Sequence, residues 1–278
     1  MRAVTWNLFC GGVDDSSEKR LHAQAEILAS LNPDVLALQE CTQWDEADER
    51  RLLWMAHALG LTPVCMARSR EGDSRNHTAL LYRSSKLHLV GRRRLGEGVF
   101  HHALIRARLR PLEADNDHDD FLALATHLTW TDGESRLREA RWMTDYAGDF
   151  PGVPPRALLL GDLNCPHPSD QPDWDQAPQN LQSRYRLVQD DGTFGATDTR
   201  AVQVLLESGW QDPQAATGRP RAATVGYFYR NEPVPLRLDH ALAYGLQVYD
   251  YRTYDTATAR TVSDHLPVVL DVEAGSTA

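Results

Sequence analysis

Residues 158–167 read LLLGDLNCPH, an apolar run that ends on a carboxylate, Asp162, and a carboxamide, Asn164, before stopping at Pro166. A short continuous apolar run of this kind suits a strand buried on both faces. Period-two alternation would carry Asp162 and Asn164 to one face, with Leu163 turned into the core between them. The pattern has a counterpart upstream, where DVLALQE (34–40) closes on Glu40.

Reading outward from these two strands, RAVTWNLF (2–9) is a strand and 16–31 a helix, with Asp15 as its N-cap, Glu18 three positions on, and Leu21, Ala25, Leu28 and Leu31 at helical spacing. A second helix spans 45–59 and ends where Gly60 can take the left-handed position. Short strands follow at 62–66, 78–83, 86–90 and 103–109. After the acidic loop EADNDHDD (113–120) the order begins again: strand FLALATHL (121–128), helix 133–146, then the strand that leads into GDLN. Residues 166–197 are rich in Pro, Asp, Gln and Ser and read as a long surface excursion, with a helix resuming over 199–208. Strands at 236–243, 246–252 and 266–272 complete the chain, and EAGSTA (273–278) reads as a frayed tail. The expected fold is α/β (α+β): one domain over 1–272, a four-layer αββα sandwich of two mixed sheets flanked by helices, built from two similar halves.

The chain has 278 residues, 42% of them hydrophobic and 24% charged, an ordinary composition for a globular protein. It carries no long apolar span and opens on MRAVTWNLF, without an export leader, so a cytoplasmic monomer with no integral membrane contact is expected. Cys10, Cys41, Cys65 and Cys165 lack metal-type spacing and are expected as free thiols. The net charge of −10 repels polyanions unless positive charge gathers locally. Basic groups do occur at Arg68, Arg70 and Arg75, in GRRRLG (91–96) and in RARLR (106–110), the last alternating as the solvent face of a strand does.

Polar residues at strand ends are the informative anomaly. Asn7, Glu40, His127, Asp162, Asn164, Asp239 and the Asp264–His265 pair each follow or close an apolar segment. Polar groups gathered at one edge of a sheet build a site there. Carboxylates and carboxamides are hard oxygen ligands, suited to Mg2+, Mn2+ or Ca2+ rather than zinc, and such an ion neutralises charge on a phosphoryl group.

At these positions the sequence resembles the endonuclease/exonuclease/phosphatase superfamily, which has a deoxyribonuclease I-like fold. The matching segments are TWNLF, DVLALQE, ATHLTW, LLLGDLN, LRLDHALA and TVSDHLPVVLDV, in the family's order across residues 4–272. The resemblance implies that Glu40 is the principal metal ligand, with Asn7 beside it and Asp264 a second metal-side carboxylate, holding Mg2+ or Mn2+. It implies that Asp162 orients or deprotonates the attacking water, that Asn164 and His127 bind the phosphate, and that His265, oriented by Asp239, is the catalytic histidine. His240 departs from the family's usual residue after the Asp of this motif, and alternation places it on the opposite face from Asp239 as a structural group.

The resemblance fixes phosphoester hydrolysis better than it fixes the substrate. The leading expectation is a nuclease or phosphodiesterase acting on nucleic acid or nucleotide. A phosphatase of a small phosphorylated metabolite or lipid headgroup is the alternative, and a catalytically silent binding module is the reading from another class. Two segments are candidates for substrate contact. One is the basic loop ARSREGDSRNH (67–77), through Arg68 and Arg75; the other is TVGYFYRNEPVP (224–235), through Tyr227, whose aromatics could equally pack into a sheet.

Overall fold

The apolar runs pair into two sheets that pack face to face. The computed structural model describes residues 1–70, 75–220 and 222–273; the centre of the basic loop, 71–74, and most of the expected frayed tail, 274–278, lie outside them. In chain order the elements are β1 (Arg2–Asn7), α1 (Lys19–Leu31), β2 (Val35–Gln39), α2 (Arg50–Leu59), β3 (Thr62–Ala67), β4 (Thr78–Tyr82), β5 (Leu87–Leu95), β6 (Ala103–Pro111) and β7 (Phe121–His127). They continue with α3 (Gly133–Ala140), β8 (Ala157–Asp162), α4 (Gln179–Tyr185), β9 (Arg186–Val188), β10 (Phe194–Thr197), α5 (Arg200–Glu207), α6 (Pro213–Thr217), β11 (Asp239–Tyr244), β12 (Val248–Thr253), α7 (Ala259–Val262) and β13 (Val268–Val272).

One sheet runs β12-β13-β1-β2-β4-β3, the other β11-β8-β7-β6-β5, and β9 and β10 form a separate hairpin. Each large sheet contains a parallel pair, β1 with β2 and β7 with β8, and each pair is joined through a helical crossover. That is the repeat seen in the sequence. Between the sheets lies a layer of small and branched side chains that includes Ala37, Leu80, Ile105, Ala123, Leu158, Leu160, Val268 and Leu270. Trp6, Leu38, Leu28 and Met55 fill the space between the first sheet and α1/α2; Leu124, Leu159, Met143, Leu205 and Trp210 do the same between the second sheet and α3/α5. The four-layer sandwich follows from strands that are apolar on both faces, each face needing its own cover. Gly161 is required by this packing: a Cβ there would lie 2.2 Å from the Thr126 carbonyl oxygen on neighbouring β7.

Some boundaries differ from the sequence reading. The first helix begins at Lys19 rather than Ser16, because Asp14 and Ser17 exchange backbone hydrogen bonds in a tight turn and Asp15 has φ 54°. Asp15 is therefore no N-cap. The second helix begins at Arg50, after a run of left-handed residues at 47–49. The helix over 133–146 tightens into a 3-10 turn from Arg141. The 166–197 excursion is folded: it holds α4 and the β9–β10 hairpin, and its apolar side chains Leu181 and Tyr185 pack with Val234, Leu236 and Leu238 in a small satellite core. No helix among the described residues is long and apolar enough to cross a membrane. Cys41, Cys65 and Cys165 are buried, Cys10 is exposed, and all four are free.

Candidate active site

The register of the strands sets the site. In the parallel β7–β8 pair His127 lies opposite Asp162, and in the antiparallel β8–β11 pair Asp239 lies opposite the same residue. In the other sheet Asn7 closes β1 opposite Gln39, so Glu40 is the first residue beyond β2. All these strand ends lie on one edge of the sandwich. Glu40 and Asn164 then leave their strands with φ of 51° and 46°, a backbone region that costs a non-glycine residue about 1–3 kcal/mol and is common at functional sites. Asn164 therefore reaches the site by a left-handed turn after the strand has ended, and not by alternation as the sequence suggested. Leu163 is fully buried, as expected.

Asn7 is the tie between the sheets. Its Nδ2 donates to Asp162 Oδ2 at 3.0 Å and, at 3.4 Å, to Glu40 Oε1, while its Oδ1 accepts from the Phe9 amide. Glu40 Oε2 also accepts from the Cys10 amide at 3.0 Å. The Asn164 amide donates to Asp162 Oδ1 at 2.8 Å, and the Asn164 side chain is held by the Leu128 carbonyl and the Tyr185 hydroxyl. His265 Nδ1 donates to Asp239 Oδ2 at 2.7 Å and lies 3.8 Å from Asp162 Oδ2. Burial alone would lower the His265 pKa, but the charges of Asp239 and Asp162 outweigh it and raise it well above the ordinary histidine value. The Asp162 carboxyl is pushed up to about 7 by burial and by the nearby Asp239, against the opposing charge of His265. Burial also raises Asp264, to about 6, with Glu40 adding to the effect.

His127 behaves differently from its neighbour. It is almost fully buried, stacks on His102 with ring centroids 3.8 Å apart, and sits 3.5 Å from Asp162 through Nε2. Burial and the adjacent His102 and His265 hold its pKa well below the usual range, so it is neutral at pH 7. It does not line the cleft described below. His240 points to the other side of β11, where it contacts the Cys165 carbonyl at 2.9 Å, as a structural group.

Glu40, Asn164, Asp264 and His265 open onto a cleft of about 390 Å3, behind which Asn7, Asp162 and Asp239 are buried without lining it. Its polar wall is Glu40, Asn76, Asn164, Asp264 and His265; its other wall is apolar and aromatic, with Trp130, Tyr185, Phe228, Tyr229, Leu236 and Leu238. Arg184, at the end of α4, lies over the Trp130 ring at 4.8 Å and pairs with Glu232 at 3.7 Å, tying α4 to the 226–234 loop. Three of the expected substrate contacts lie elsewhere. The Tyr227 hydroxyl donates to the Ser263 carbonyl and its ring carries Arg260, so its neighbours Phe228 and Tyr229 take the wall. Arg68 is 3.9 Å from Asp45 and Arg75 is 3.5 Å from Glu46, and neither lines the cleft. Trp130, Arg184 and Tyr185 were not foreseen. Trp130 closes the ATHLTW segment, three residues after the strand-end His127, and that position was the available signal.

The donor set fits a divalent cation. Asp239 Oδ1 and Asp264 Oδ1 are buried without a hydrogen-bond partner among the described residues, a state that is costly for a carboxylate unless a cation relieves it. Glu40 faces the same cleft as Asp264; Asp162, Asp239 and His265 form an adjoining cluster with polar atoms within 4.8 Å of one another, in which His265 is already committed as a donor to Asp239. Oxygen-rich sets of this kind suit a hard ion.

A sequence model of the Endonuclease/Exonuclease/phosphatase family matches residues 4–265. A search of curated proteins by sequence gave no match. Among solved structures, an endonuclease/exonuclease/phosphatase from Bacteroides vulgatus is similar over 98% of each chain, with 15% identity and a TM-score of 0.69. The mannosyl-6-phosphatase of Bacteroides thetaiotaomicron is similar over 98% of this chain and 99% of its own, with 16% identity and a TM-score of 0.63. Humanized TDP2 of D. rerio is similar over 98% of each chain, with 15% identity and a TM-score of 0.63. At these identities the likeness speaks for the fold.

Proposed function

The chain belongs to the endonuclease/exonuclease/phosphatase family, whose members are phosphoester hydrolases, and on that premise we propose that it hydrolyses a small phosphorylated molecule with the help of Mg2+ or Mn2+. The observation that carries the reading is the His265–Asp239 pair at 2.7 Å, opening onto a cleft whose other polar groups are Glu40, Asn164 and Asp264. When bound, the cation would neutralise charge on the phosphoryl group and its leaving oxygen. Glu40 and Asp264 would hold it, with Asn7 fixing the Glu40 carboxylate.

The protein's own groups do the rest. Asp162, anchored by the Asn7 side chain and the Asn164 amide, takes the proton of the attacking water. His265, kept as imidazolium by Asp239, places positive charge and a hydrogen-bond donor against the oxygen on which charge accumulates. Asn164 adds an amide on the same side. Neutral His127 buttresses Asp162 from behind.

The choice of a small substrate rests on the second wall. Its aromatic and aliphatic surface suits the non-phosphate part of one molecule, and the Arg184–Glu232 bridge links the two segments that form it. A groove for a polynucleotide would present a track of cations, whereas the chain carries −10 and Arg68 and Arg75 stand outside the cleft beside acidic partners. Phosphate release from a panel of phosphomonoesters and small diesters, run beside plasmid and oligonucleotide cleavage with His265→Ala as control, tests this. Small-ester turnover that is lost in the variant supports the reading, and nicking of DNA without small-ester turnover would overturn the substrate class.

A further inference from the structure

A second pocket lies on the same edge of the sandwich. It encloses about 220 Å3 and is lined by Arg68 and Arg70, which follow β3, by Arg94 of β5, and by Glu97, Phe100 and His102 of the β5–β6 connection. Strands β3 and β5 are edge strands of different sheets, so the fold brings guanidinium groups from both sheets to one opening. Gly96 at φ 67° belongs to this geometry, because a Cβ there would lie 2.2 Å from the buried Phe100 ring. In a chain of net charge −10, the described lining residues carry three arginines against one glutamate, a local excess of positive charge. Arg68 has only a 3.9 Å contact with Asp45, and neither Arg70 nor Arg94 has an acidic partner within ion-pair distance among the described residues.

The pocket adjoins the catalytic groups. His102 lines it and stacks on His127, whose Nε2 is 3.5 Å from Asp162. Two imidazole rings thus separate the arginines from the proposed base. Arg68 and Arg70 line this pocket, and Asn76 lines the catalytic cleft.

Resting on the phosphoester-hydrolase reading above, we propose that this pocket is an anion subsite that binds a second phosphate group of the substrate, remote from the one that is cleaved. Arginine forks hold a phosphate through paired charge-assisted hydrogen bonds; Arg68 lies at the edge of an ion pair with Asp45 and Arg94 contacts the Cys65 thiol, so Arg70 and Arg94 are the two without an acidic partner among the described residues. The preferred substrate is then a bisphosphorylated small molecule rather than a monoester.

The test compares adenosine 5′-monophosphate with adenosine 3′,5′-bisphosphate, and glucose 6-phosphate with glucose 1,6-bisphosphate, for the wild type, R70A/R94A and the charge-retaining R70K/R94K. The proposal expects kcat/KM to fall about tenfold or more for a bisphosphate in R70A/R94A, mostly through KM, with the monoester unchanged and R70K/R94K partly restored. An equal fall on both substrates, or none on either, would overturn it. A readout independent of turnover is calorimetric titration of pyrophosphate in EDTA, with melting temperatures confirming that each variant is folded. Binding that is lost in R70A/R94A but kept in His265→Ala supports the subsite; binding absent from the wild type, or retained in folded R70A/R94A, refutes it. Inactivity of the wild type on all four esters would count against the proposed function alone, because the titration still decides the subsite.

Discussion

Replacing Asp239 by Asn isolates what one buried charge does for the site. Asp239 has no exposed surface, and its Oδ2 accepts from His265 Nδ1 at 2.7 Å. The carboxamide is nearly isosteric but neutral, and it can offer an N–H to a ring nitrogen that needs an acceptor. Both effects weaken the imidazolium and its orientation. A hydrogen bond with a charged partner is worth about 1.5–3 kcal/mol, and one decade of rate is about 1.36 kcal/mol. The expected loss in kcat is therefore about 10- to 160-fold, with KM changed by no more than about threefold, since the cleft walls stay in place. The pH profile should move as well. Burial alone would lower the His265 pKa, and it is the charges of Asp239 and Asp162 that raise it; without Asp239 it falls. The active imidazolium is then lost at lower pH, so the alkaline limb of kcat shifts downward. Steady-state rates across pH, with circular dichroism melts to confirm folding, read both. A rise in KM at constant kcat, or an alkaline limb that stays where it is, would refute the argument.

Other perturbations probe different layers of the account. Glu40→Ala should lower kcat by about 100-fold or more and should raise the concentration of Mg2+ or Mn2+ needed for half-activity, because the cation loses its main anionic ligand; an unchanged metal titration would contradict the assignment. Phe228→Ala should raise KM by about 2- to 10-fold with kcat nearly constant, since aromatic contacts are worth about 0.5–1.5 kcal/mol and this ring lies on the wall away from the carboxylates; a kcat effect alone would place it in the chemistry. Gly161→Ala should cost about 1–3 kcal/mol by pushing β8 off the Thr126 carbonyl and should lower Tm by several degrees; an unshifted melt would mean that the strands accommodate the methyl group.

The sequence disclosed what depends on strands and their ends. A buried strand must be apolar on both faces, so a carboxylate at its terminus stands out, and Glu40, Asp162, Asp239 and His265 were each visible for that reason. Their convergence follows from the β7–β8–β11 register and from Asn7 bridging the two sheets. What was not legible depends on contacts between segments distant in sequence. Tyr185 and Arg184 reach the cleft because α4 packs on the 225–238 segment, and no local pattern in a Pro- and Asp-rich stretch announces that. Tyr227 and Phe228 could not be told apart because the segment is not a regular strand, so alternation gave no guide to which ring faces inward. Arg68 and Arg75 were judged by charge alone, and the acidic side chains of Asp45 and Glu46 that meet them come from a different loop. The false N-cap at Asp15 has a similar origin, since the Asp14–Ser17 turn competes for the residues that would have begun the helix.

The function proposed for the cleft is phosphoester hydrolysis with a bound divalent cation and the His265–Asp239 pair. Its most direct test is phosphate release by the wild type, with the best ester of the panel, in Mg2+ or Mn2+ and again in excess EDTA, alongside Glu40→Gln. Turnover should be abolished by EDTA, restored by added metal, and lost in Glu40→Gln at the wild-type melting temperature. Turnover that persists in EDTA, or a folded Glu40→Gln protein with full activity, would contradict it.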